Sequence, residues 1–156
     1  MSVFVAEELS EVLNTKVVIG RINIGLLNRI IIDDVLLDDQ SGQEMLKVTR
    51  LSAKFDIMPF FKGKISISSV QLFGFNINLR KETPDSPPNF KFVLDAFASK
   101  DTVKKENSLD LRINSILIRR GRMSYHVLSE EATPGKFNAK HIQLQNIIAN
   151  ISLKAL

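Results

Sequence analysis

Six times along this chain an apolar alternation breaks by one residue and then resumes. With h for an apolar position and x for any residue, the motif is hxhxxhxh. It occurs at Val17, Ile19, Ile22, Ile24, at Ile30, Ile32, Val35, Leu37, and at Leu46, Val48, Leu51, Ala53. It recurs at Ile65, Ile67, Val70, Leu72, at Leu111, Ile113, Ile116, Ile118, and at Phe137, Ala139, Ile142, Leu144. Period two is the signature of a strand with one apolar face. A step of three in a flat strand would throw the apolar set onto the opposite face. A bulge absorbs the additional residue, bends the strand and restores the facing. Six such breaks predict a sheet folded along a line, apolar throughout its inner face, with Ser68-Ser69 marking the bend in the fourth copy.

The punctuation between copies divides the chain. Asp39-Gln40-Ser41-Gly42 and Lys62-Gly63-Lys64 have turn composition. The run Pro84–Pro88 cannot be a central strand. Two segments change to helical period. Val5, Leu9, Val12 and Leu13 form a stripe within residues 1–14, and Phe90, Val93, Leu94 and Phe97 form another within 89–99, where Asn89 is the expected N-cap. The expectation is one mainly β domain over 1–156 with two short helices (α+β). An N-terminal amphipathic helix precedes a folded-over antiparallel sheet built from 16–80 and 109–156.

The chemistry-bearing residues are sparse. There is no cysteine, which excludes disulfides, thiolate metal sites and cysteine nucleophiles. The two histidines, His126 and His141, do not form a two-ligand helical motif. The acids Asp33, Asp34, Asp38, Asp39 and Glu44 are interrupted by Val35, Leu36 and Leu37, so they miss the spacing of a calcium loop. No phosphate-binding glycine loop or nucleophile elbow is present. The sequence therefore reads as a non-enzyme without a cofactor or metal.

Charge is unevenly placed. Residues 100–122 carry seven bases against three acids, whereas residues 7–44 carry eight acids and three bases. Arg119, Arg120 and Arg122 make a basic patch that could face an anionic partner. Nucleic acid is not the expected partner, because single-strand binders interleave basic and exposed aromatic residues. This chain has no Trp and one Tyr.

The order of elements resembles a known family. A helix, then VVIGRINIG, a strand pair around DDQSG, GKISISSVQLFGFNINL, a short helix and LRINSILIRRGRMSY together look like the amino-terminal region of AsmA-like proteins. The TamB branch, in the long form found in Bacteroidota, is the most similar. The resemblance implies a chorein-like groove, or β-taco, in a periplasmic protein tethered to the inner membrane by an anchor upstream. It also implies phospholipid acyl chains as partners, with transfer toward the outer membrane or assistance to an outer-membrane assembly partner. Both ends of the chain, before Ser2 and after Lys154-Ala155-Leu156, read as cuts in a longer protein. No apolar run approaches the roughly 18 residues of a membrane span. A truncated sheet would leave an open edge, so strand addition to a client protein is the alternative role.

Overall fold

The computed structural model describes residues 2–62, 65–101 and 109–152, with the side chains of residues 2, 4, 5, 60, 65, 97–101 and 109–112 outside the description. Nine elements follow in order: α1 (Ser2–Leu13), β1 (Val17–Gly25), β2 (Arg29–Asp38), β3 (Glu44–Phe55), α2 (Ile57–Phe61), β4 (Ile65–Lys81), α3 (Lys91–Asp101), β5 (Leu109–Val127) and β6 (His141–Ser152). All six strands lie in one open sheet in sequence order, β1 through β6. The mainly β fold with a folded-over open sheet is the architecture the repeat predicts.

Two details differ from expectation. β4 and β5 pair in parallel, while every other neighbour pair is antiparallel. Between β4 and β5 the chain passes through α3, and β5 begins beside the start of β4, with Leu109 facing Ile65, so the two strands run the same way. The two expected sheet segments consequently join into one. A third, short helix, α2, covers Ile57–Phe61 between β3 and β4, where a simple turn was expected.

The sheet carries its irregularity on one line. Gly20 faces Asp34, Asp34 faces Thr49, and Thr49 faces Gly74, and at each the regular pairing is interrupted. The line continues at Arg119-Arg120 of β5 and Gln145-Asn146 of β6. Four of these residues adopt positive φ: Asp34 at 56°, Gly74 at 66°, Arg120 at 53° and Asn146 at 54°. Glycine, asparagine and aspartate tolerate that region best, which explains three of the four choices.

The helices seal one end of the inner face. Ala6, Leu13, Val17, Ile19, Leu37 and Met45 are buried in one cluster, with Leu9, Ile22, Ile32, Leu46, Phe90, Phe92, Val93 and Ala96 packed against it. The buried stripe of α1 is thus Ala6, Leu9 and Leu13, rotated from the expected one, and Val12 is exposed. Asn14 at φ 49° ends α1 in a left-handed cap, and Ser10 Oγ accepts the Val17 amide at 3.0 Å, fixing the helix against its strand. In α3 the packed residues are Val93 and Ala96 with Phe92, whereas Leu94 is exposed. Phe97 lies outside the described side chains. Asn89 does not cap α3. Its Oδ1 accepts the Arg80 amide at 3.0 Å and its Nδ2 donates to Asn78 O at 3.0 Å.

Candidate functional site: an apolar face with one open end

The register aligns the apolar positions of all six strands into four ranks. The first is Val17, Leu37, Leu46, Ile77, Met123, Leu144, and the second is Ile19, Val35, Val48, Phe75, Gly121, Ile147. Beyond the bend come Ile22, Ile32, Leu51, Leu72, Ile118, Ala149 and then Ile24, Ile30, Ala53, Val70, Ile116, Ile151. Ile19 and Leu37 share a cluster with Ile22 and Ile32 from across the bend. The step of three therefore does keep one face apolar on both sides of the line, but across β1–β4 it does so without the expected bulge. The register is the same on both sides of Gly20, Asp34, Thr49 and Gly74, so the neighbouring strands take the extra residue in step.

Only the second rank has a gap in its side chains, and a neighbour fills it. A Cβ on Gly121 would lie 2.2 Å from the ring of Phe75. The Phe75 ring occupies that space and is buried.

Most of the candidate residues fall in these ranks. Val17, Ile19 and Leu37 are buried under the helices, Ile22, Ile30, Ile32, Val35, Val70, Leu72, Ile116 and Ile118 are half-buried, and Ile24 is exposed. Ile67 pairs with Phe55 beside a register shift, and Ile113 sits in the irregular stretch between Leu111 and Ser115. The side chains of Ile65 and Leu111 lie outside the described residues.

The bend in the last three strands lies one unit later than the motif copies predicted. Ser68 is a local bulge, where Lys54 pairs with Ser69 but Phe55 pairs with Ile67. The common line crosses β4 at Phe73-Gly74, β5 at Arg119-Arg120 and β6 near Gln145-Asn146. Phe137 and Ala139 belong to the loop before β6, and Phe137 is exposed. The residues missed were Phe75, Ile77, Met123, Ile147 and Ala149. Their signal was present: Val70, Leu72, Phe75, Ile77 and Ile142, Leu144, Ile147, Ala149 are further copies of hxhxxhxh, and Ile116, Ile118, Gly121, Met123 is a copy with glycine in one apolar place.

The opposite face at the bend is polar. Arg50 bridges Asp33 across the strands at 2.6 Å, and that hydrogen bond holds the Asp33 carboxyl below its ordinary pKa. The basic patch is exposed there. The Arg120 guanidinium lies 5.4 Å from the centroid of the Phe73 ring, shielding an aromatic residue that the bend turns outward. Lys47, Arg120, Arg122 and Asn146 border a shallow cleft on this side.

The remaining polar clusters tie the fold together. Asp39 is almost fully buried; desolvation raises its pKa, but hydrogen bonds from Ser41, the Gln43 amide, Arg80 and Asn89 outweigh that and bring it to about 2. The Arg80 guanidinium also reaches Gln43 and Ser41, so the β2–β3 turn is clamped to the end of β4. Of the five acids that miss the calcium-loop spacing, Asp39 and Asp33 are such anchors.

His126 and His141, far apart in sequence, face each other across β5 and β6. Their Nδ1 atoms are 2.9 Å apart, and His141 Nε2 donates to Glu130 O at 2.7 Å. Among the described residues no group of three or more His, Cys, Asp or Glu is placed to hold a metal ion. No helix among them is long and apolar enough to cross a membrane. No protein-family model matches the chain, and no curated protein matches it.

Proposed function

We propose that this chain is a non-enzymatic periplasmic module of envelope biogenesis, of the AsmA-like and TamB kind. Its apolar β face would hold phospholipid acyl chains in transit between inner and outer membrane, or serve outer-membrane protein assembly. The observation that carries this reading is the set of four ranks running across six strands, only partly covered by helices. Six strands about 4.8 Å apart offer roughly 24 Å of such surface between first and last. Each buried CH₂ contributes about 0.8 kcal/mol, so an acyl chain needs no specific polar contact to be held.

The part of the face that the helices leave half-buried supports a conduit over an ordinary core. α1 and α3 cover the β1–β3 side of the first two ranks, whereas Ile24 is 80% exposed and Leu144 and Ile151 are also exposed. These three lie on the edge strands, and between them Leu51, Leu72, Ile118, Val70 and Ile116 of the central strands are only half-buried. An inner-membrane anchor upstream of this chain would place the module beside its lipid source.

A second reading has its own observation. β6 is an edge strand, and its amide and carbonyl groups on that side have no sheet partner among the described residues. Such an edge can accept a strand from a client protein.

Organic extraction of the purified full chain, followed by binding of a phospholipid with a fluorescent acyl chain, tests the first reading. Co-purified phospholipid and saturable binding are expected, with Ile116→Asp weakening binding by roughly tenfold or more. Unchanged binding in folded Ile116→Asp, or none in the native chain, would leave the strand-addition reading as the better one.

A further inference from the structure

The open end of the sheet is built from two adjoining segments with the wrong composition for ordinary loops. The β1–β2 turn presents Leu26 at 90% and Leu27 at 81% exposure, and Ile24 just before it is 80% exposed. The Phe55 amide donates to Asn28 O at 2.9 Å, which fixes that turn beside the strand end leading directly into α2. α2 then presents Met58 at 73% and Phe61 at 79% exposure, with Ile57 also exposed. Tight turns favour Gly, Asn, Asp and Ser. Leu27 instead adopts φ 59°, a conformation unfavourable for a branched apolar side chain. An exposed leucine stands where asparagine would fit with less strain.

The residues flanking these segments are mostly basic. Exposed Lys54 and Lys62 and half-buried Arg29, whose guanidinium donates to Ser52 Oγ at 3.2 Å, stand against Asp56, whose carboxylate accepts a hydrogen bond from Ser66 at 3.1 Å. Exposed apolar side chains flanked by lysines match the headgroup boundary of a bilayer with anionic phospholipid. The fourth rank of the apolar face, which starts at Ile24 and Ile30, opens at this same end.

We infer that this end is a membrane-contact tip: Leu26, Leu27, Met58 and Phe61 insert shallowly into an anionic phospholipid surface and set the mouth of the apolar face against the bilayer. This deepens the groove reading, yet the two are separable, because surface docking does not require a bound acyl chain.

The test is flotation of the full chain with vesicles of phosphatidylcholine alone and of phosphatidylcholine mixed with phosphatidylglycerol. The chain should float with the mixed vesicles and bind more weakly to the neutral ones and at high salt. Leu27→Asn suits the backbone conformation and preserves folding. Combined with Leu26→Ser and Phe61→Ser, it should weaken vesicle binding by roughly tenfold or more while leaving co-purified lipid unchanged. Ile116→Asp should do the reverse, losing lipid while still floating. Failure of the native chain to float, or equal flotation of the triple variant, would overturn the tip. So would a native dimer that the triple variant converts to a monomer without any vesicle binding, since the patch would then be a contact between copies.

Discussion

Asp39 illustrates how much one buried residue organises here. Its two carboxylate oxygens accept from Ser41, the Gln43 amide, Arg80 and Asn89, which belong to the β2–β3 turn, the end of β4 and the approach to α3. Because its folded pKa of about 2 lies below the ordinary 3.8, the charged form favours folding. That contribution is complete above about pH 4 and is lost as pH falls through about 2. Asp39→Asn should lower stability at neutral pH by at most about 2 kcal/mol, and the gap to the native chain should narrow between pH 4 and 2 in denaturant titrations. Gly121 is the complementary case, a residue that matters for what it lacks. Gly121→Val should cost about 1–3 kcal/mol by displacing Phe75, measurable as a lower unfolding midpoint. Neither role was legible in the sequence. Asp39 looked like one of several turn acids, and Gly121 interrupted an apolar pattern that it in fact completes.

At the scale of elements, the sequence is most readable where the step of three is spelled in apolar residues. β1, β2 and β3 bend where their motifs say, at Gly20, Asp34 and Thr49. In β4 two copies overlap, and only pairing with β3 shows that Gly74 rather than Ser68 lies on the common line. In β6 the copy that includes Phe137 begins in a loop. The parallel pairing of β4 with β5 is a matter of which strand ends meet, Ile65 with Leu109, and no local pattern encodes it. The meeting of His126 with His141 likewise follows from hairpin register. Deleting Asn146 would leave Leu144, Ile147, Ala149 and Ile151 in strict alternation, so a straightened β6 could no longer pair with the bent β5 on both sides of the line. Hydrogen exchange should then show loss of amide protection in β6, with β1–β3 still protected.

At the scale of the whole molecule, the sheet is covered at one end and open at the other. The helices bury Val17, Ile19 and Leu37, while Ile24 and the Leu26-Leu27 turn stand exposed. Composition foretold an apolar face but could not say which half the helices would cover, since both stripes were only partly apolar. The bend also separates two chemistries. Isoleucine, valine and leucine line the inside, and Arg50 with Asp33 and the Arg119–Arg122 patch lie outside. A bound acyl chain should therefore touch one face of β5 and β6 and not the other. Photocrosslinking of the full chain with natural phospholipid measures this directly, from a benzophenone side chain placed at Ile118 inside or at Ile148 outside. Ile148 is 76% exposed, so its modification should leave the fold intact. The groove reading gives a phospholipid adduct at position 118 and little or none at 148. Equal labelling at both positions, or no lipid adduct at 118 in a folded protein, would contradict it.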